Sequence, residues 1–395
     1  MLPFTNMSDD KQQEHFSDGI TEDIITDLSK ISGLFVIARN STFVYKGRAV
    51  KVSEVAEELG VRYVLEGSVR KVGERVRINA QLIDAVTGGH LWAERYDGTL
   101  ADVFALQDKV TEKIVAALAV KLTRGEQERL NRTVAVDPEA YDVLLHGLAR
   151  LRRFTRETNA EARQFFERAV EIDPQYARAH ADVALTHALD VEYGWTNLPK
   201  ASLQAAIKHA QAALALKSSD PHVYFALAMT YMGQRRYDEA IAVGRKATGL
   251  YPNYADGFAQ LAQSLTYAGK SQEALIAIRR AMRINPRHGL IYLWIVGHNY
   301  FLMERYQEAI TELRKVVEGN PGYPWAHLTL ASAYGLTGQI EEAEWEGQEF
   351  LALQPDFTLA RERRRVLYKN SEHRDRYIEG LRKAGLPETS KAAAP

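Results

Sequence analysis

Four prolines set the frame of this chain: Pro252, Pro286, Pro321 and Pro355 stand 34, 35 and 34 residues apart. Each closes a block with one internal order: an aromatic or aliphatic residue, a leucine with a small neighbour, a tyrosine, two alanines, then the proline. One block reads Tyr224, Leu227-Ala228, Tyr231, Ala240, Ala247 and Pro252. The next reads Phe258, Leu261-Ala262, Leu265, Ala274, Ala281 and Pro286. Looser copies follow, Val296-Gly297, Tyr300, Ala309, Val316, Pro321 and then His327, Leu330-Ala331, Tyr334, Ala343, Phe350, Pro355. Apolar and small residues recur at three- and four-residue spacing, as a helix with one buried stripe requires. The small residues at the shared positions let two helices approach closely, and a large side chain there would push them apart at a cost of about 1–3 kcal/mol. Gly269-Lys270-Ser271, Glu304-Arg305 and Gly338-Gln339 mark the turn inside each hairpin. The proline, which cannot continue a helix, marks the turn between hairpins. One hairpin cannot bury its own stripe, but stacked copies can, so a right-handed α-solenoid is expected.

This period, built from two short amphipathic segments, resembles the tetratricopeptide repeat. The reading places about six helix pairs over residues 138–355. The first pair opens at Asp137-Pro138 and spans about 139–154 and 159–172; the second spans about 176–189 and 199–216. Their connection from Asp190 to Leu198 is longer and carries Tyr193, Gly194 and Trp195. Residues 356–385 are expected to form polar capping helices, and 386–395 a disordered tail.

The first 122 residues have a different texture. Met1 to Phe4 reads as the end of a strand, and residues 5–16 as a polar loop. A helix capped by Asp18 carries Ile20, Ile24, Ile25, Leu28 and Ile31 on one face. The apolar run from Leu34 to Ala38 reads as a buried strand, and a short helix capped by Ser53 stops at Gly60. Three strands are expected over 61–72, 74–84 and 90–96, with turns at Gly73 and at Thr87-Gly88-Gly89. Val76, Ile78, Ala80 and Leu82 alternate with Arg75, Arg77, Asn79 and Gln81, so one face is buried and one wet. A helix from Val103 to Leu122 completes the order β-α-β-α-β-β-β-α. The fold class is therefore α+β: a small α/β sandwich with helices on one face of a mixed sheet, then an all-α solenoid, joined by a linker over 123–137.

Several phrases in this part are similar to the TolB-amino-terminal-like domain. They are residues 2–8 (LPFTNMS), 18–25 (DGITEDII), 37–41 (IARNS), 45–47 (YKG) and 59–70 (LGVRYVLEGSVR), with 81–85 (QLIDA), 87–88 (TG) and 91–96 (LWAERY). In bacteria that domain commonly sits between an output domain and tetratricopeptide repeats. The output is most often a class III adenylate/guanylate cyclase, sometimes a winged-helix transcription regulator. The family's first strand starts several residues earlier, whereas Met1 stands inside it here. A truncated chain, a late start codon and a gene separated from its upstream domain all fit, and a weakly held first strand is expected.

Composition excludes much chemistry. With no cysteine, thiolate catalysis, disulfides and Cys-ligated zinc are ruled out. A formal net charge of −1 gives no reason to expect nucleic acid or an anionic membrane as partner. The basic hairpin Arg70, Lys71, Arg75 and Arg77 lacks interleaved aromatics and is offset by Glu66, Glu74 and Asp84, so it reads as a solvated sheet face. No apolar run of transmembrane length and no signal peptide is visible, and a cytoplasmic location is expected. Gly269-Lys270-Ser271 echoes a phosphate-binding loop, but Ser264 stands where that motif needs glycine, and a structural turn accounts for it. His180 and His187 have no third ligand in register, and Asp18, Glu22, Asp23 and Asp27 read as capping and helix-dipole residues. No catalytic residue, metal site or cofactor is assigned, and no cyclase core with its two metal-binding aspartates is found.

What remains is recognition. The repeat resemblance implies that first helices line a groove through their second, fifth, ninth and twelfth positions. These are His222, Phe225, Met229 and Met232, then Asp256, Ala259, Gln263 and Thr266 with Tyr267 adjacent. Ile291, Trp294, His298 and Phe301 follow, and then Trp325, Leu328, Ser332 and Gly335. Such a wall is aromatic and methionine-rich, suited to an apolar peptide or helix; packing between adjacent repeats is the alternative for Trp294 and Phe301. It lacks the paired lysines and asparagines of repeats that clamp a terminal carboxylate. A non-catalytic sensory or scaffolding module is expected, with a protein or peptide partner and, in a longer parent, a cyclase catalytic domain to tune. The competing readings are a nucleotide cyclase and the effector half of a winged-helix transcription regulator. Sequence leaves the oligomeric state open.

Overall fold

The computed structural model describes residues 1–10, 13–130, 136–216 and 219–389. Part of the expected linker (131–135) and most of the expected tail (390–395) lie outside the described residues. The chain divides into two compact units. Unit 1 comprises Met1–Gln234, Val243–Gly257 and Arg283–Arg287, and unit 2 comprises Arg235–Ala242, Phe258–Met282 and His288–Pro395.

The amino-terminal part of unit 1 runs β1 (Thr5–Asn6), α1 (Glu14–Ser29), α2 (Arg39–Phe43), α3 (Val52–Leu59), β2 (Tyr63–Val72), β3 (Arg75–Asp84), β4 (His90–Thr99), α4 (Val103–Ala117) and α5 (Arg124–Leu130). The strands form one mixed sheet in the order β1-β2-β3-β4, parallel between β1 and β2 and antiparallel thereafter. Gly73, at φ 58°, supplies the left-handed turn that lets Val72 pair with Arg75. Val76, Ile78, Ala80 and Leu82 of β3 are buried against α1 and α4, through Phe16, Ile20, Ile24, Leu106 and Val110. The opposite residues face solvent, where Arg77 meets Asp97 directly across the sheet at 2.5 Å.

Several expectations for this part need correction; among them, Ser53 lies inside α3, which begins at Val52, instead of capping it, and α4 ends at Ala117 instead of Leu122. Strand pairing is centred on Thr5 and Asn6, continued by Leu2 N–H to Leu65 O and Met7 N–H to Val69 O, each at 2.8 Å. The polar segment is therefore partly strand. Helix α1 begins four residues before Asp18, so Asp18 lies inside it and binds Lys46 at 2.6 Å instead of capping. Residues 34–38 are extended but join no sheet. Their backbone bonds go to Asn253 and to Ile284 O, which receives Ala38 N–H at 2.9 Å. Asn253 Nδ2 donates to Ile31 O at 3.0 Å and to Leu34 O at 2.9 Å. An apolar run needs burial and satisfied backbone groups, and a neighbouring strand is only one way to provide them.

Six helix pairs follow. They are α6 (Pro138–Leu151) with α7 (Arg156–Ile172), α8 (Ala177–Glu192) with α9 (Pro199–Ala215), and α10 (Pro221–Gly233) with α11 (Tyr237–Leu250). Then come α12 (Ala255–Tyr267) with α13 (Ser271–Ile284), α14 (Leu290–Leu302) with α15 (Tyr306–Gly319), and α16 (Pro324–Thr337) with α17 (Ile340–Leu353). Two further helices, α18 (Leu359–Arg365) and α19 (Ser371–Lys383), end the described chain. Asp137 caps α6, its Oδ1 accepting from Glu139 N–H at 2.8 Å, with Pro138 at the first helical position. The small-residue positions do what their size predicts: Ala228, Ala262, Ala331, Ala240, Ala274, Ala309 and Ala343 have no measurable exposure. At Gly297 an added Cβ would lie 2.7 Å from Leu313.

The turn inside the later hairpins repeats one backbone geometry. Arg235, Gly269, Glu304 and Gly338 all have positive φ, at 59°, 79°, 62° and 78°. Glycine enters that region freely, whereas arginine and glutamate pay about 1 kcal/mol for it. The two non-glycine occupants are also the two whose side chains grip the carboxy-terminal segment.

Candidate functional site: the first-helix wall and what covers it

In unit 1 the wall carries a charged cluster that faces α1. Glu22 of α1 pairs with Arg39 at 2.9 Å, with Arg178 of α8 at 3.7 Å, and with Arg152 at the end of α6. Burial alone would raise its carboxyl, but Arg152, Arg39 and Arg178 together hold it down at about 2. Arg178 also binds Asp182 at 2.7 Å and Asp220 at 3.4 Å. The neighbouring Asp23 is not held down in this way: burial, helped by the charges of Glu22 and Asp27, pushes it up to about 7, against the Tyr141 hydroxyl that donates to it at 2.6 Å and the charge of Arg178. A cavity of about 230 Å³ remains between these groups, lined also by His222 and Phe225. Met229 and Met232 are buried, Met229 among Ala226, Leu227 and the residues of α8. Of the acidic residues of α1, Glu22 thus serves as an ion-pair partner of the repeats, while Asp18 pairs with Lys46 and Asp27 with Lys30 rather than acting as helix caps.

In unit 2 the wall was expected to stand open, and it is covered. Trp294, His298, Phe301 and Leu328 are at most 6% exposed, while Gln263, Tyr267, Ile291 and Trp325 are half-buried. The cover is the chain's own segment after Pro355, which was expected to be a polar end cap. Tyr368 OH lies 2.7 Å from His298 Nε2, and Tyr377 meets Phe301 edge-on at 5.9 Å. The Arg365 guanidinium stacks 4.1 Å over Trp325, and Lys369 N–H donates to Tyr267 O at 2.8 Å. Helix α19 lies on α16 almost backbone to backbone. Ser332 Oγ donates to Tyr377 O at 2.9 Å, and a Cβ added at Gly335 would sit 2.4 Å from Gly380 O. Arg235 holds the end of α18 through the carbonyls of Arg364 and Val366 at 2.7 and 3.1 Å, and Glu304 pairs with Arg376. Sequence reasoning missed Arg235, Asn253, Arg178 and Gly380; the signal available for Arg235 was arginine at a turn position that holds glycine in two of the other hairpins, at Gly269 and Gly338.

His298 makes this cover sensitive to acid. Burial, helped by His373, pushes its imidazole down to about 3, so it stays neutral in the folded chain. The unfolded chain takes up a proton near the ordinary 6.5, and the folded chain does not until the pH is far lower. Stability is therefore whole above pH ~6.5 and falls as pH drops towards about 3, by roughly 1.4 kcal/mol per unit. Between pH 7 and 5 the wild type should lose about 2 kcal/mol more than His298→Gln. Equal losses in paired denaturant titrations would show that His298 is not the sensor. Elsewhere His187 is pushed down to about 4 by burial and Arg163, and the His180 and His209 rings face each other with Nδ1 atoms 3.1 Å apart.

The fold is a small mixed sheet followed along the chain by helical hairpins. Residues 201–255 and 300–345 each match a family described as tetratricopeptide repeat, so this part of the chain carries tetratricopeptide repeats. Proteins of this kind commonly bind protein or peptide partners and are typically non-catalytic. Among curated proteins, the chain is 52% identical over 240 residues to the "Putative adenylate cyclase 3" of Rhizobium meliloti (strain 1021), covering 61% of this chain and 41% of that one. It is 29% identical over 197 residues to the TPR repeat-containing protein YpiA of Bacillus subtilis (strain 168), covering 49% and 44%. The chain thus spans less than half the length of these relatives. Among solved structures, a thermophilic TPR protein of Thermus thermophilus matches 49% of this chain and 98% of its own at TM-score 0.40 and 20% identity. Pseudomonas aeruginosa PilF matches 55% and 94% at TM-score 0.41 and 22% identity. No helix among the described residues is long and apolar enough to cross a membrane.

Proposed function

We propose that this chain is a non-catalytic regulatory scaffold that binds a helix of a protein partner on the first-helix wall of unit 2, in exchange for its own α19. The observation that carries this is the seating of α19 on α16. The wall already holds an amphipathic helix, through a close glycine and serine contact and a row of tyrosines. A partner segment with a small residue flanked by aromatics would satisfy the same contacts. The residues proposed to receive it are Tyr267, Trp294, His298, Phe301, Trp325 and Leu328. Phe225, Met229, Met232, Gln263 and Ile291 extend the same helical positions along the chain. The amino-terminal part is proposed to be a TolB-amino-terminal-like domain, from the phrases quoted above. The relative named as an adenylate cyclase supports a place in nucleotide signalling, with a cyclase catalytic domain proposed as the regulated output; the cytoplasm is proposed as the compartment.

The test uses the full chain and a labelled synthetic peptide of residues 358–388. Wild type should bind it weakly, because its own segment occupies the wall. A Gly380→Val chain, which cannot seat α19 closely, should bind it at least about 10-fold more tightly. A folded variant with no gain in binding would sink the exchange reading. Formation of cyclic nucleotide from ATP and manganese by the purified chain would sink the non-catalytic one.

A further inference from the structure

We propose that His15, Asp142 and His146 form a binding site for one divalent transition-metal ion of the zinc class, bracing α1 of the amino-terminal domain to α6 of the first repeat. All three residues lie in unit 1, and their ligand atoms fall within 4.8 Å of one another. His15 Nε2 is 3.5 Å from Asp142 Oδ1, and His146 Nε2 is 3.8 Å from Asp142 Oδ2. A four-coordinate zinc with bonds of about 2.0–2.1 Å holds its ligand atoms roughly 3.3–3.4 Å apart. The two contacts to Asp142, each through its own carboxylate oxygen, need to shorten by only a few tenths of an ångström, and the widest separation in the trio, within 4.8 Å, closes by side-chain rotation of up to about 1.4 Å.

The local fold supplies this convergence. Asp142 and His146 are one helical turn apart and share a face of α6. His15 sits in the first turn of α1, and its ring lies 4.0 Å from that of His146. His146 is itself backed by Phe165, 5.8 Å away and nearly parallel. His15 is nearly covered, while Asp142 and His146 are partly open, so an ion has a route in and a fourth position left for water. Two imidazoles and one carboxylate select zinc, nickel, cobalt or copper over calcium and magnesium.

One group opposes the ion. Lys71 Nζ lies 3.2 Å from Asp142 Oδ1 and 4.8 Å over the Phe16 ring. It contacts the oxygen turned towards His15 and leaves Oδ2 to His146, so an ion enters beside an existing cation. Affinity should be moderate, and removing Lys71 should raise it.

The full chain, stripped with chelator, is titrated with zinc by calorimetry and with cobalt by visible absorption. One saturable site of micromolar affinity and a tetrahedral cobalt spectrum are expected. His15→Gln and His146→Gln should each weaken binding by about 10- to 100-fold. Lys71→Met should tighten it by about 10-fold, a gain that a misfolded variant would not show. The double variant His180→Gln/His209→Gln should bind as wild type. The proposal is overturned if no saturable binding appears up to millimolar metal, if the His15 and His146 variants bind unchanged, or if the His180/His209 variant alone abolishes it.

Discussion

Glu22→Gln is expected to destabilise unit 1 by about 3–5 kcal/mol, although it changes one oxygen to an amide. The carboxylate is the shared counter-ion of Arg39, Arg152 and Arg178. Arg178 also has Asp182 and Asp220, and Arg39 feels the charges of Asp18 and Asp256, but Glu22 is the carboxylate that binds all three directly. Taking away one member of a buried ion cluster leaves the others uncompensated, which costs more than the pairing was worth. The sign with pH is fixed by the depressed carboxyl: its stabilisation is present above the ordinary 4.5 and is lost as pH falls through about 2. The variant should lack that acid limb. Because two units need not unfold together, the effect is best read by hydrogen exchange in residues 14–29 and 138–151. Protection there equal to wild type would mean that the cluster does not hold α1 on the repeats.

Gly380→Ala separates two opposing effects by sign. In a helix interior, alanine is favoured over glycine by about 1 kcal/mol. Here the added Cβ would lie 2.3 Å from Ser332 Oγ, 2.4 Å from Ser332 O and 2.9 Å from Ser332 Cα. Two of those atoms are backbone and cannot swing aside, so α19 must move off α16. Overpacking of this kind costs about 1–3 kcal/mol, and Ser332 Oγ also loses its bond to Tyr377 O. A net loss is expected, with faster exchange over residues 371–383 and new exposure of Trp325 and Tyr368 to a quencher. Stabilisation would show that propensity wins and that the close contact is soft.

The helical part of the fold was legible because its constraints are local and periodic. A proline ends a helix wherever it falls, and an alanine at a crossing point is required by the neighbouring backbone whatever lies beyond. The same holds for the sheet, where alternation along β3 and the glycine at position 73 specify face and turn from within a few residues. The misreadings share one cause. Residues 34–38 and the segment after Pro355 satisfy themselves against partners 70 or more residues away, such as Asn253, His298 and Arg235. An extended apolar run looks the same whether a strand or an asparagine side chain receives its backbone. A polar, arginine-rich helix looks the same whether it caps a stack or lies along it.

The sequence by itself determined that paired helices stack with a fixed period, that a half-wet mixed sheet precedes them, and which helix faces must be covered. Only the tertiary structure decided that the first-helix wall is occupied from within: by α1 through the Glu22 cluster in unit 1, and by α18 and α19 through Tyr368, Tyr377 and Gly380 in unit 2. The reason is that periodicity records which face of a helix must be buried, whereas the identity of the burying surface depends on where distant chain segments return in space. That return is set by a few non-periodic residues whose meaning appears only when their partners are beside them.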